Sequence, residues 1–181
     1  MEYIISEQFL CFFTLLEMII NDVAPCGVTR FDLAETMGIT VPIGTDINIK
    51  NKHNSNNPNE YGANISEDMI LDVFKKHNLN CSIKYIDGLK IKEEDMFDIV
   101  IRHLKYNDYV VFAFSYGRLY NKNDLDEMGH VSLLTGIIDE DTLEIYDPGP
   151  DYAGKKCINI DDVFWAMRRK GGIYIIKSLE G

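Results

Sequence analysis

The sequence predicts an α+β fold in which helices from the N-terminal half pack on an antiparallel sheet formed mainly by the C-terminal half. The stretch from Phe9 to Ile20 is almost entirely apolar, which is typical of a helix buried on most of its faces. The run YVVFAFSY at 109–116 is continuous and β-prone, as in a strand buried on both sides. The run HVSLLTGII at 130–138 is followed by a polar turn and by LEIY at 143–146, which predicts a hairpin.

Capping residues and apolar spacing predict the other elements. Asn21 and Asp22 should end the first helix, and Pro25-Cys26-Gly27 makes a turn. Thr29 and Ser66 are good caps for two further helices. The expected elements are then a helix at 29–38, a helix after 66, a strand at 81–86, a helix at 93–104, a short helix at 161–168 and a closing strand at 172–177.

The segment from 48 to 64 differs from the rest in composition. Seven of its 17 residues are Asn, and Pro58 and Gly62 interrupt it. Because such a segment offers little apolar surface for a core, we expect a long polar surface loop or a mobile flap. The sequence leaves open whether this loop covers a functional site.

Composition limits the class of protein. The chain has 181 residues, a formal net charge of −11 and 46% apolar residues, which fits one globular domain over 1–181. Nucleic acids and anionic membranes attract clustered Lys and Arg, so an acidic chain is a poor partner for either. We expect no cofactor.

The apolar N-terminus does not read as a secretory signal. It carries Glu2, Glu7 and Glu17, and no basic residue precedes Arg30. The apolar run is also shorter than the roughly 20 residues that span a bilayer. Because the four cysteines are scattered without a close-spaced pair, we expect free thiols and a cytoplasmic location.

Cys11 is the best candidate for a reactive thiol. A helix N-terminus carries partial positive charge that stabilises a thiolate, and Cys11 lies at or near the start of the most buried helix. Gln8, three residues earlier, can offer an amide N–H to a developing oxyanion. An equally good interpretation is that Cys11 is a small core residue. The other cysteines are expected in a turn, a strand start and a loop, where a structural role is favoured: Cys26, Cys81 and Cys157.

His130 is the one histidine expected beside a buried sheet, because it opens an apolar strand. Asp147 ends the returning strand of the same hairpin, in YDPGP. A turn centred between residues 140 and 141 sets Asp147 opposite Leu134, on the same face as His130. That register leaves the two side chains roughly 13 Å apart, so contact needs a bulge or a shifted register, which we expect near Gly136. Each residue alone is also compatible with a structural role.

Together, Cys11, His130 and Asp147 are a nucleophile, a base and a group that orients the base. This combination is suited to acyl transfer. A second candidate is a metal site formed by His130 with Asp124, Asp126 or Glu127. Those acidic residues lack a recognised ligand spacing, so solvated loop charges are the favoured interpretation.

The order of these motifs resembles the papain-like cysteine peptidase superfamily in its compact bacterial form. A cysteine begins a long buried helix, DLAETMG follows, and the chain ends with GHVSLLTG, a turn and IYDPGP. The bacteriocin-processing (double-glycine leader) peptidases and their stand-alone relatives are similar in this respect. The resemblance implies a papain-like fold, with Cys11 as nucleophile, His130 as general base and Asp147 as the orienting acid.

Two features differ from those peptidases. They usually have a glutamine five or six residues before the cysteine and a glycine after it, whereas here Gln8 is three residues before and Phe12 follows. The spacing is at least as similar to acyltransferases of the butirosin-biosynthesis type. The sequence therefore predicts a thiol hydrolase or peptidase acting on a peptide or amide bond. The alternatives are an acyltransferase with the same triad and an inactive binding module. The acidic composition of the chain favours a cationic peptide or acyl-carrying substrate. The sequence leaves the oligomeric state open.

Overall fold

The computed structural model describes residues 1–63, 65–122, 125 and 128–179, and over these ranges the protein is a mixed α+β structure. Its helices are α1 Cys11–Val23, α2 Arg30–Met37, α3 Glu67–Lys76, α4 Glu93–Lys105, α5 Tyr116–Tyr120 and α6 Ile160–Arg169. Its strands are β1 Ile39–Pro42, β2 Lys52–Ser55, β3 Cys81–Asp87, β4 Tyr109–Ser115, β5 Gly129–Ile137, β6 Thr142–Asp147, β7 Gly154–Asn159 and β8 Gly172–Ser178. None of the helices in these ranges is long and apolar enough to cross a membrane.

Six strands form one antiparallel sheet in the order β3-β8-β4-β5-β6-β7. The expected α+β class with an antiparallel sheet is therefore confirmed. The expected central strand is β4, which lies between β8 and β5. The short strands β1 and β2 pair in parallel, apart from this sheet.

Helices cover both faces of the sheet. One apolar core joins α1, α2 and α3 to one face, where Val111 of β4 packs. A second core joins α4, α5 and α6 to the other face, where Val110 and Phe112 pack. Because side chains alternate along a strand, the uninterrupted apolar run of β4 supplies both cores.

The first helix begins and ends later than predicted. Phe9 lies outside it with φ of +70°, and α1 continues through Asn21 and Asp22 to Val23. Both polar side chains form hydrogen bonds with groups outside α1, so neither competes for the backbone bonds of the helix. Asn21 accepts from the Gly27 N–H and donates to the Val28 carbonyl, and Asp22 accepts from the Tyr109 hydroxyl.

Two elements beside the candidate site were not predicted. Helix α5 was assigned in part to the preceding strand, although Ser115 caps it by accepting from the Arg118 N–H and Asn121 ends it with φ of +56°. Strand β7 contains Cys157, which we expected in a loop. It is an edge strand with two lysines and little apolar character, as is usual for edges that avoid pairing with another chain.

The Asn-rich segment is more ordered than the sequence indicated. Residues 52–55 form β2, which pairs with β1, and Ile49 is only 4% exposed in the first core. At its far end, Gly62 exchanges two backbone hydrogen bonds with Thr40 of β1. The polar composition did not predict these contacts, because most of them are hydrogen bonds between backbone groups and depend little on the side chains.

Candidate active site

Cys11 is the first residue of α1, as the sequence predicted. Leu10 precedes the helix without a side-chain cap, and no acidic residue lies in the first turn. The first N–H groups of a helix have no partner within the helix, and their partial positive charge favours an anion at this end. The half-buried Cys11 thiol therefore lies at the positive end of this helix.

The chain enters this helix through a tight turn. The Leu10 N–H donates to the Glu7 carbonyl, 3.2 Å away, and Phe9 takes the left-handed conformation that usually favours glycine. Gln8 lies in this turn with an exposed side chain. It lines the same cavity as Cys11 and His130, so it borders the site.

The β5–β6 hairpin brings His130 and Asp147 together. Gly136 pairs with Glu144, so the hairpin is centred on residue 140, and a bulge follows between Leu134 and Gly136. The turn and the bulge each shift the register by one residue. A shift of two keeps the same face and carries Asp147 toward Ser132, within diagonal reach of His130. The His130 Nε2 lies 2.7 Å from the Asp147 Oδ1.

His130 interacts with Cys11 on its other side. The imidazole is 8% exposed, and burial lowers its pKa, but the neighbouring Cys11 charge and the hydrogen bond to Asp147 outweigh burial and raise the pKa of His130 to about 10. A protonated imidazole beside a thiol favours a thiolate–imidazolium pair. Since Asp147 occupies Nε2, Nδ1 is the ring nitrogen left for the thiol.

Asp147 is fully buried and remains ionised. Burial raises the pKa of this carboxyl, but its hydrogen bonds and charge interaction with His130, with further bonds from Tyr120 and the Gly149 N–H, bring the pKa below its usual value. The Gly149 N–H donates to Oδ1 across 2.8 Å, and the Tyr120 hydroxyl donates to Oδ2. Both carboxylate oxygens therefore have donors.

Gly149 packs directly against the His130–Asp147 pair. A Cβ at this position would lie 2.9 Å from the His130 Cε1 and 3.0 Å from the Asp147 Oδ1, closer than carbon and oxygen atoms approach without displacement. Gly149 lies two residues after the end of β6, where the chain leaves the sheet. The structure gives it a second constraint, because the backbone here has to approach the imidazole closely.

Two cavities open on either side of Cys11 and His130. One, of about 180 Å³, extends past Gln8, Tyr116 and Asp151. The other, of about 440 Å³, extends past Phe12, Lys170 and Tyr174. Tyr61 and Gly62, at the end of the Asn-rich segment, line both. The segment therefore forms a wall of the cleft.

A hydrogen bond fixes this wall from across the cleft. The Lys170 Nζ donates to the Asn59 carbonyl oxygen at 3.1 Å, and the Tyr61 ring meets the Phe9 ring edge-on at 5.8 Å. These contacts join the Asn-rich segment to the end of α6 and to the turn before Cys11. No sequence pattern indicated a role for Tyr61, because an aromatic residue within a polar segment is usually exposed.

Besides Cys11, the chain contains three further thiols and the acidic residues of the candidate metal site. Cys26 and Cys157 are exposed and Cys81 is half-buried, and none of the four cysteines forms a disulfide bond. Asp124, Asp126 and Glu127 lie outside the described residues. Within the described ranges, no group of three or more His, Cys, Asp and Glu side chains is arranged to hold a metal ion.

No model of a known protein family matches the chain, and no curated protein matches it.

Proposed function

We propose that the protein is a cysteine hydrolase that cleaves a peptide or amide bond through Cys11, His130 and Asp147. The observation that carries this proposal is the buried imidazole of His130, which interacts with the thiol at the start of α1 and is bonded to the ionised Asp147. A nucleophile, a base and an orienting group in one cleft are the parts that thiol-based acyl chemistry requires.

In the proposed reaction, the Cys11 thiolate attacks the carbonyl carbon and forms a tetrahedral intermediate. The imidazolium of His130 then protonates the leaving amine, which departs and leaves an acyl group on the sulfur. His130, now neutral, takes a proton from water, which attacks the thioester and releases the acid. Asp147 accepts from Nε2 throughout, so it holds the ring with Nδ1 toward the reacting atoms.

Two donors are candidates for stabilising the oxyanion. The Cys11 backbone N–H is in the first turn of α1, where N–H groups have no helical partner. The Gln8 amide borders the same cavity. Donors that already point at the developing charge are usually the largest contribution of such a site, so both belong to the proposed machinery.

The arrangement of elements supports membership in the papain-like superfamily. A cysteine starts an N-terminal helix that packs on an antiparallel sheet, and neighbouring strands of that sheet supply the histidine and the acid. The superfamily resemblance of GHVSLLTG and IYDPGP concerns these same two strands. Cytoplasmic location and a cationic substrate are part of the same proposal, the second because Asp151 and Glu60 border the cleft.

The first test compares the alkylation rates of the four thiols by mass spectrometry at about pH 5.5. An ordinary thiol with a pKa near 8.5 is then only about 0.1% ionised, whereas a thiolate held by an imidazolium stays reactive. We expect iodoacetamide to label Cys11 at least about tenfold faster than the more exposed Cys26 and Cys157. Exposure alone predicts the opposite order.

The control is His130→Ala, in which Cys11 should react no faster than the exposed thiols. Equal, slow labelling of all four thiols in the unaltered protein would contradict the proposal. A peptide library then separates the outcomes: hydrolysis that is lost in Cys11→Ala supports a peptidase. Release of the acyl group only when an amine is added replaces hydrolysis by acyl transfer, and a biological effect retained by Cys11→Ala replaces both by a binding role.

A further inference from the structure

The second oxygen of the Asp147 carboxylate has a partner that the reaction above does not use. Oδ1 accepts from His130 and from the Gly149 N–H, whereas Oδ2 accepts from the Tyr120 hydroxyl. The Lys156 Nζ lies 3.8 Å from Oδ2, beyond hydrogen-bond distance. Tyr120 is therefore the direct donor to this oxygen among the described residues.

The Tyr120 ring is held tightly in place. It stacks on the Tyr152 ring with centroids 4.2 Å apart and planes 1° from parallel, and it meets the Phe114 ring edge-on. The Lys156 ammonium lies 5.2 Å from the centres of both stacked rings. Since stacking and the cation fix the ring plane, they also fix the position of the hydroxyl oxygen.

The Tyr120 hydroxyl also stays protonated at the pH values near neutrality at which the site would act. Burial, followed by the charge of Asp147 and the hydrogen bond to it, raises the pKa of Tyr120 far above its ordinary value. The buried Ser132 side chain lies on the same side, next to this hydroxyl. Tyr120 is thus a permanent neutral donor to the carboxylate.

We infer that Tyr120 is a positioning residue that acts through Asp147 to hold the His130 imidazole toward Cys11. A carboxylate bonded at one oxygen can turn about its Cβ–Cγ bond, and the ring bonded to it turns as well. A fixed donor at the second oxygen removes this freedom, because both oxygens must then keep their partners. The inference rests on the proposed function, since it concerns the same site.

The charged and titratable groups around Asp147 come from several elements. His130 on β5, Tyr120 on α5 and Lys156 on β7 face the carboxylate directly. Tyr116 and Tyr146 are near enough for its charge to contribute to raising their pKa values. Only Tyr120 and His130 among these side chains are bonded to it, so removing the Tyr120 hydroxyl leaves the other charges unchanged.

The test compares Tyr120→Phe with Tyr152→Phe. Each removes one hydroxyl and keeps the stacked rings, but only the first removes a donor to Asp147. We expect Tyr120→Phe to slow alkylation of Cys11 about tenfold near pH 6 and to move the acid limb of the rate profile up by about one pH unit. Tyr152→Phe should stay within about twofold of the unaltered protein. Identical profiles for both variants would overturn the inference.

A second measurement needs no reactive thiol, so it separates this inference from the proposed function. In a Cys11→Ala background, the His130 Nε2 proton bonded to Asp147 should give a slowly exchanging downfield NMR signal. We expect this signal to broaden or disappear with Tyr120→Phe and to persist with Tyr152→Phe. A signal equally sharp in both variants overturns the inference whatever the labelling shows.

A third variant covers the case in which Tyr120→Phe does not fold. Incorporation of 3-fluorotyrosine at position 120 keeps the ring and the hydroxyl but makes the hydroxyl a stronger donor. The His130 Nε2 proton signal should then shift relative to the unsubstituted protein, while the same residue at position 152 leaves it in place. An unshifted signal with the substitution at 120 is the contradicting result.

Discussion

His130 and Asp147 form a buried pair of opposite charges. Removing such a pair from water is costly, and attraction repays the cost only if the remaining hydrogen-bonding capacity is filled. Asp147 meets this condition through Tyr120 and the Gly149 N–H, which serve the positions that His130 leaves free. The stability of the pair therefore depends on residues that do not take part in the proposed chemistry.

The raised pKa of His130 makes the stabilisation by this pair depend on pH. The folded-state pKa of about 10 lies above the ordinary value of 6.5. The contribution is therefore fully present below about pH 6.5 and is lost as the pH rises through about 10. The charge of Cys11 is the largest cause that raises this pKa, and the hydrogen bond and charge of Asp147 add to it. Asp147→Asn removes the second of these charges, so its destabilising effect should be larger at pH 6 than at pH 10.

Urea unfolding of the unaltered protein and of Asp147→Asn at both pH values measures this difference. The Asp72→Asn variant is the control, because Asp72 is exposed and pairs with the exposed Lys75. This substitution should change stability little at either pH. A loss of stability in Asp147→Asn that grows between pH 6 and pH 10 would contradict the direction of the His130 shift.

At the scale of elements, Arg30 joins the turn before Cys11 to α1 and α2. Its guanidinium bonds Glu7 in that turn and lies 3.1 Å from the Glu17 carboxylate of α1. Glu17, which is 7% exposed, also accepts from the Arg30 N–H at the start of α2. One buried carboxylate thus caps a neighbouring helix while the arginine fixes the approach to the nucleophile.

Arg30→Met should therefore destabilise the protein by about 2–3 kcal/mol, because Glu17 stays buried without its cation. Urea unfolding near pH 7 measures this loss. Lys75→Met, which breaks an ion pair of two exposed side chains, should cost less than about 0.5 kcal/mol. The double variant Arg30→Met with Glu17→Gln should recover part of the loss, and no recovery would mean that the unpaired charge is not its cause.

The hairpin shows which features of an element its sequence encodes. Alternation along β5 and β6, with a turn centred between residues 140 and 141, predicted that His130 and Asp147 share a face. That face is kept because the turn and the bulge each shift the register by one residue, which makes a shift of two. The distance between them depended on a turn centred on 140 and a bulge between Leu134 and Gly136. Both are choices among backbone geometries of similar energy, and packing of the hairpin between two cores selects one of them.

Over the chain as a whole, the net charge is −11, and in the proposed reaction this charge would act on the approach of the substrate. Asp151 and Glu60 border the cleft, and Lys170 is bonded to Asn59 at its wall. An acidic surface attracts a cationic substrate over a distance that salt shortens. In the proposed reaction, the surface charge therefore affects the rate at which substrate and protein associate, while the reacting atoms lie within the cleft.

For a basic peptide substrate, raising the salt concentration from about 0.05 M to about 0.5 M should lower kcat/KM several-fold, since the Debye length shrinks to a few ångströms. A neutral peptide with the same scissile bond is the control and should change less than about twofold. Steady-state kinetics on the two peptides measure the effect. An equal response of both peptides would show that the acidic surface does not select the substrate.

Local sequence patterns were enough to predict the α+β class, the positions of most helices and strands, and the candidates Cys11, His130 and Asp147. Periodicity and capping are local properties, because they depend on residues that are close together in the sequence. Helix α5 and strand β7 were missed because a five-residue helix and a polar edge strand have weak local signals. Both supply neighbours of Asp147, namely Tyr120 and Lys156.

Which of these residues come into contact depends on the folding of the whole chain. Tyr120 lies 27 positions from Asp147, and Tyr61 reaches the cleft from a segment with no apolar pattern of its own. Contacts between residues far apart in the chain depend on how two cores close around one sheet. Because that closure minimises exposed apolar surface over the whole chain, no single stretch of sequence contains the information that forms the site.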